Sequence, residues 1–179
     1  DDDDMQAIER ALLDWKVIFF RDQDISLAAH KKFARWFGDL EVHPLAVPSQ
    51  GDMELIRIAE DTERRAHNDI WHTDVTFKQT PPLGSVLRAR EMPPVGGDTL
   101  FADMVQAYAG LPDKTKARID GRRARHDFHG FRHGLRAGNA SETYIDELKT
   151  RYPNPEHPVV RTHPQTGEKC LFVNAGFTT

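Results

Sequence analysis

The spacing of apolar residues along the chain predicts a helical start and several surface helices. A run of acidic residues opens the chain and suits the positive end of a helix dipole, and Met5, Ile8 and Leu12 follow it at helical spacing. Ser26 is placed to cap a second helix that should stop at Gly38. Together these patterns predict helices over residues 1–13, 26–38, 113–120 and 142–150.

Short apolar or alternating runs predict strands in the remaining segments. These runs lie at residues 17–20, 54–59, 84–91, 99–102, 159–162 and 169–173. The last two flank Gln165-Thr166-Gly167-Glu168, which predicts a hairpin. Short strands separated by Pro/Gly turns, with a few outer helices, predict an α+β protein with a mainly β core: a sandwich or a jelly roll.

Composition narrows the class of protein. The 179 residues suffice for a single domain over 1–179, and a formal net charge of −4 predicts no nucleic-acid partner and no membrane partner. The single cysteine, Cys170, cannot form an internal disulfide, which favours a reducing, cytoplasmic location. The chain opens at Asp1 without an initiator methionine, so we interpret it as incomplete at both ends.

The strongest chemical pattern is Trp71-His72-Thr73-Asp74. In an extended segment residues i and i+2 point to the same side, so His72 and Asp74 can converge on one ion. One nitrogen and one hard oxygen ligand suit iron(II) in a site of two histidines and one carboxylate. We therefore expect their ligand atoms to lie about 3–4 Å apart, as bonds to a shared octahedral ion require.

Three blocks in the chain resemble a known family. They are the segment from Asn68 to Phe77, the segment from Pro94 to Phe101, and the tail from His157 to Thr179. In this order they resemble the taurine dioxygenase (TauD/TfdA) family of Fe(II)- and 2-oxoglutarate-dependent dioxygenases. The resemblance implies a double-stranded β-helix, a jelly roll with flanking helices, and implies Fe(II) as cofactor with 2-oxoglutarate as co-substrate.

The resemblance also implies roles for individual residues. His72 and Asp74 match the first two metal ligands and catalytic positions, and Thr99 matches a threonine that binds a carboxylate of 2-oxoglutarate. A plain β-branched strand residue is the alternative interpretation of Thr99. The substrate-binding candidates are His43, Asn68 and Phe177, where a core phenylalanine is the alternative for the last.

The implied reaction turns 2-oxoglutarate into succinate and carbon dioxide while the substrate is hydroxylated with dioxygen. The implied substrate is a small, anionic molecule: a sulfonate, a sulfate ester or an aryloxy acid. Taurine-specific members carry a tyrosine where this chain has Ala46, so we expect a substrate other than taurine. The oligomeric state stays open, including a homo-oligomer.

Two family residues are expected outside this sequence. The third metal ligand, a histidine, and an arginine that pairs with 2-oxoglutarate are expected beyond Thr179, in about 90–100 further residues. His157 and His163 match hairpin histidines rather than ligands. With the C-terminal strands missing, we expect exposed apolar surface or an open sheet edge.

Two alternatives to an enzyme stay open at this point. One is a non-catalytic jelly-roll binding module derived from such an enzyme. The other is a nucleic-acid binder that uses the basic residues between 122 and 136, although the negative net charge counts against it. The members of this basic cluster are Arg122, Arg123, Arg125, His126, His129, Arg132, His133 and Arg136.

Overall fold

Two helices open the chain, and capping side chains set where they begin. The computed structural model describes residues 1–43, 51–59, 70–128 and 141–179. Helix α1 spans Asp2–Trp15, and the Asp1 carboxylate accepts the Asp4 N–H at 3.0 Å. Helix α2 spans Leu27–Arg35, with the Ser26 hydroxyl accepting the Ala29 N–H at 3.1 Å. Both predicted helices are confirmed, because side-chain capping is a local property of the sequence, but α2 ends at Arg35 rather than at Gly38.

Three shorter helices follow. They are α3 at Met104–Ala109, α4 at Asp113–Ile119 and α5 at Glu142–Arg151. Helices α4 and α5 confirm the predictions. Helix α3 was not predicted, since six residues are too few to display a helical period; its mark in the sequence is Asp103, whose Oδ1 accepts the Val105 and Gln106 N–H groups at 2.9 and 3.1 Å.

The strands of the described residues form two antiparallel pairs. Strand β1 is Arg123–Arg125 and pairs with β2 at Glu156–Pro158, which sets Ala124 opposite His157. Strand β3 is Val160–Thr162 and pairs with β4 at Lys169–Leu171, which confirms the predicted hairpin. A single bridge between His126 and Thr178 brings the tail beside the end of β1.

Four predicted strands, at 17–20, 54–59, 84–91 and 99–102, are not strands in the structure. Their apolar side chains are exposed instead: Phe19 is 66%, Ile58 63%, Leu87 68% and Leu100 70% accessible. A strand needs a hydrogen-bonded neighbour, and within the described residues these segments have none. The expected exposed apolar surface is therefore confirmed, whereas the jelly roll itself is not formed by the described part of the chain.

The segment that follows Asp74 contributes Val75 and Phe77 to a small, mainly aromatic core. Its members are buried and pack on one another: Val75, Phe77, Phe128, Leu148 and Phe177, with Tyr152 at the edge. The Phe77 ring centre lies 5.5 Å from those of Phe177 and Tyr152 and 5.9 Å from that of Phe128. The core thus joins α5, the segment after β1 and the tail to the segment that carries the candidate ligands.

Nothing in the helices points to a membrane span. Among residues 1–43, 51–59, 70–128 and 141–179, no helix reaches the length and apolar character that crossing a bilayer requires.

Candidate metal centre

His72 and Asp74 converge as their spacing predicts. The Nε2 atom of His72 lies 3.2 Å from Oδ1 of Asp74, within the range expected for two ligands of one ion. The His72 side chain is 30% accessible and that of Asp74 58% accessible, so an ion can reach both atoms.

A hydrogen bond on the far side of the His72 ring leaves Nε2 facing Asp74. Its Nδ1 atom lies 2.8 Å from the Ile70 carbonyl oxygen, which can only accept, so Nδ1 carries the proton and donates it. In the neutral ring Nε2 then presents a lone pair toward a carboxylate oxygen. Two acceptors 3.2 Å apart repel unless a proton or a metal ion lies between them, and a second partner on the far ring nitrogen is typical of metal-binding histidines.

The Asp74 carboxylate is oriented by a second contact. Ser85 Oγ donates to Oδ2 of Asp74 over a long 3.4 Å, while Oδ1 faces His72. The donor set therefore fits a hard or borderline divalent ion such as iron(II). Among the described residues no group of three or more His, Cys, Asp or Glu side chains lies close enough to hold an ion, so this part of the chain offers two ligands.

His43 lies within electrostatic reach of the same centre. Burial lowers the pKa of His43, and Lys78 acts in the same direction, while the charges of Asp74 and Glu41 act against it. Lys78 Nζ binds both carboxylate oxygens of Glu41 at 2.7 and 2.9 Å, and this half-buried ion pair ties the segment before His43 to the segment after Asp74. No local pattern in the sequence marks this pair, because its members are 37 positions apart.

Phe177 is a core residue, as the alternative interpretation has it, and its role in lining a substrate pocket stays a prediction. It is 6% exposed within the aromatic core, and its ring stands edge-on to His72 with 6.4 Å between ring centres. Its neighbour Gly176 was not predicted as a site residue: a Cβ atom there would lie 3.3 Å from the His72 Cβ and 3.3 Å from Ile70 Cδ1. The absence of a side chain at Gly176 thus lets the tail pack directly against the candidate ligand His72.

The remaining predicted site residues are not brought to this centre by any described contact. Thr99 is exposed, in the segment between the positive-φ glycines Gly96 and Gly97 and helix α3. Its role toward 2-oxoglutarate stays a prediction. Asn68 and Ala46 lie outside the described residues.

The two histidines excluded as ligands are engaged elsewhere. His157 Nε2 lies 2.9 Å from the Thr76 carbonyl oxygen, and His163 Nδ1 accepts the N–H groups of Gln165 and Thr166, both at 3.3 Å. Both bind backbone groups, and the expectation that neither is a metal ligand stays a prediction.

The basic cluster is only partly described. Arg122, Arg123 and Arg125 are exposed, and Arg123 Nε lies 3.6 Å from a carboxylate oxygen of Glu156. His126 is buried. His129, Arg132, His133 and Arg136 lie outside the described residues.

Comparison with known proteins gives consistent matches over the whole chain. The model of the family described as "Taurine catabolism dioxygenase TauD, TfdA family" matches residues 1–179. An alkylsulfatase from Acinetobacter baylyi is 35% identical over 99% of this chain and 56% of its own length. An (S)-phenoxypropionate/alpha-ketoglutarate-dioxygenase from Sphingobium herbicidovorans is 32% identical over 97% of this chain and 62% of its own length.

A solved structure agrees with these matches. The crystal structure of a taurine dioxygenase from Burkholderia xenovorans superposes with a TM-score of 0.75 at 32% identity, over 100% of this chain and 57% of that one. This chain therefore spans little more than half the length of the proteins it matches.

Proposed function

Since this chain belongs to the taurine catabolism dioxygenase family TauD, TfdA, we propose that the full protein is an Fe(II)- and 2-oxoglutarate-dependent dioxygenase. The observation that carries the proposal is the 3.2 Å approach of His72 Nε2 to Asp74 Oδ1, with Nδ1–H of His72 committed to a backbone carbonyl. His72 and Asp74 would hold the iron. A histidine outside the 179 residues would complete the ligand set.

When bound, iron and 2-oxoglutarate would supply the oxidation: 2-oxoglutarate would lose carbon dioxide and take up one oxygen atom of dioxygen to become succinate, and the other oxygen atom would enter a C–H bond of the substrate. The protein's own residues bind, orient and exclude water. Thr99 would donate its hydroxyl hydrogen to a carboxylate of 2-oxoglutarate. Phe177, packed edge-on against His72, would help keep the ring in place and water away from it.

The substrate is proposed to be a small anion: a sulfate ester, a sulfonate or an aryloxy acid. Relatives named as an alkylsulfatase and a phenoxypropionate dioxygenase support this range. His43 is the residue proposed for the anionic head, to which its ring would donate an N–H hydrogen bond beside the metal.

Succinate formation from 2-oxoglutarate tests the proposal in the full-length protein. Purified protein with Fe(II) and 2-oxoglutarate is assayed across sulfate esters, sulfonates and aryloxyacetates. We expect substrate-dependent succinate release, and its loss in His72→Ala and Asp74→Ala. His163→Ala removes a histidine from the β3–β4 turn and should retain activity. A protein that releases no succinate with any of these substrates, and binds no divalent metal, would be the non-catalytic binding module instead.

A further inference from the structure

We propose that two buried histidines, His126 and His157, position the metal ligand Asp74 by holding the turn that follows it. This pair is called the histidine clamp below, and the turn is Val75–Lys78. The inference rests on the proposed function, in which Asp74 is a metal ligand whose position matters. Neither histidine touches the candidate ligands in the described contacts, so both are positioning residues rather than catalytic ones.

The turn itself is strained. Val75 is a buried, β-branched residue with φ of 55°, a left-handed conformation that such residues rarely adopt. One backbone bond closes the turn, from Lys78 N–H to the Val75 carbonyl at 3.0 Å. A conformation of this kind persists only where surrounding contacts enforce it, and it occurs most often at functional sites. The structure must therefore supply contacts that hold residues 75–78.

His157 supplies the backbone part of that support. Its Nε2 atom lies 2.9 Å from the Thr76 carbonyl oxygen and 3.1 Å from that of Lys78. Both partners are acceptors, so Nε2 carries a proton and shares it between two carbonyl groups of the turn. The ring is 7% exposed, and strand β2 fixes its position by pairing with β1.

His126 supplies the side-chain part. Its Nδ1 atom lies 2.9 Å from the hydroxyl oxygen of Thr76, and both residues are fully buried. The His126 backbone N–H donates to the Pro155 carbonyl at 2.9 Å. The two rings meet edge to face with 4.9 Å between centres, and Phe172 stacks on His126 at 5.6 Å.

These contacts converge on the residue two positions after the ligand. His157 hydrogen-bonds the carbonyl oxygen of Thr76, and His126 hydrogen-bonds its hydroxyl group. Purely apolar contacts have no preferred direction. Hydrogen bonds do, so they fix the orientation of the turn as well as its position. Fixing Thr76 thus fixes where the Asp74 carboxylate stands relative to His72.

Thr76 offers a nearly isosteric test. Thr76→Val removes only the hydroxyl that meets His126, and Thr76→Ser keeps it. The direct readout is the dissociation constant of Mn(II), a redox-stable probe, measured by titration calorimetry on the full-length apoprotein well below its melting temperature. We expect Thr76→Val to weaken Mn(II) binding about tenfold, the lower end of what outer-shell substitutions cost a metal site, and Thr76→Ser to stay within about twofold of wild type.

Two substitutions of His157 give a test that is independent of the Thr76 variants. His157→Gln can keep a donor near the Nε2 position, while His157→Leu removes it. We expect the Leu variant to lose metal affinity by about tenfold or more and the Gln variant to recover most of it. His163→Leu is the matched control, since His163 lies in the β3–β4 turn and its contacts within the described residues are to that turn.

The outcomes separate the two proposals. If Thr76→Val and His157→Leu lower the melting temperature but leave the Mn(II) dissociation constant within twofold of wild type, the clamp is only structural and the inference is overturned. If wild-type protein binds no Mn(II), or binds it equally well after His72→Ala, the proposed metal site itself fails. Tenfold weakening in the Val and Leu variants, with recovery in Ser and Gln, supports the clamp.

Discussion

Acid should destabilise this protein through His126. Burial lowers the pKa of His126 to about 4, the nearby His157 acts in the same direction, and the Phe172 backbone opposes them. An unfolded histidine titrates near its ordinary value of 6.5. Between these two values the unfolded chain binds more protons than the folded one, so the free energy of unfolding falls as the pH drops from about 6.5 to about 4.

The size of the effect follows from the shift. One pKa unit corresponds to about 1.4 kcal/mol, so the full loss attributable to His126 is about 3.5 kcal/mol, of which about 3 kcal/mol is reached at pH 4 and the rest below it. The contribution is fully present above pH 6.5. The His157 ring faces His126 from β2 with 4.9 Å between ring centres, and its effect is already included in the lowered pKa of His126.

Chemical denaturation at a series of pH values measures this loss in the full-length protein, with a chelator in every sample so that metal binding does not contribute. His126→Asn removes the titrating group and can keep a polar contact to Thr76. The wild-type protein should lose about 2–3 kcal/mol more than the variant between pH 7 and pH 4. Burial also lowers the pKa of His43, but that residue is present in both proteins and cancels in the difference. Parallel pH curves for the two proteins would refute the reasoning.

Three further predictions concern the co-substrate, the substrate and the core. Thr99→Val should raise the Michaelis constant for 2-oxoglutarate by an amount worth about 1–2 kcal/mol, because a carboxylate oxygen loses its donor; an unchanged constant would count against the role of Thr99. With Ala46 where taurine-specific members carry tyrosine, taurine should rank below sulfate esters or aryloxy acids in kcat/KM, and a first rank for taurine would overturn that expectation. Phe77→Ala should lower the free energy of unfolding by about 3–5 kcal/mol, because the ring is fully buried against three aromatic neighbours. Denaturant melts of the full-length protein measure this, with Tyr144→Ala as an exposed aromatic control.

Local features of the sequence predicted the local parts of the structure. The acidic run at the start of α1, capping by Ser26 and the i, i+2 spacing of His72 and Asp74 act over a few residues, and all appear as expected. The β3–β4 hairpin is also a local feature, since its turn and its two strands are contiguous in the chain.

Long-range features were the ones the sequence could not supply. Alternating apolar residues indicate that a segment can form a strand, but they do not provide the neighbouring strand, so segments such as 84–91 carry the pattern without the pairing. The contacts of His157 with Thr76 and of Gly176 with His72 join residues far apart in the chain, and no local pattern marks them.

The position of the clamp in the chain has a consequence for biosynthesis. His126 and His157 lie 50 and 81 residues after Thr76, so both leave the ribosome well after the ligands they support. At about 5–20 residues per second, His157 is made roughly 4–16 seconds after Thr76. During that interval the strained turn lacks both histidine contacts, so the position of Asp74 would become fixed only after residue 157 has been made. Metal loading would then follow synthesis rather than accompany it, and the cell's free metal pool at that later moment would decide which ion the protein receives.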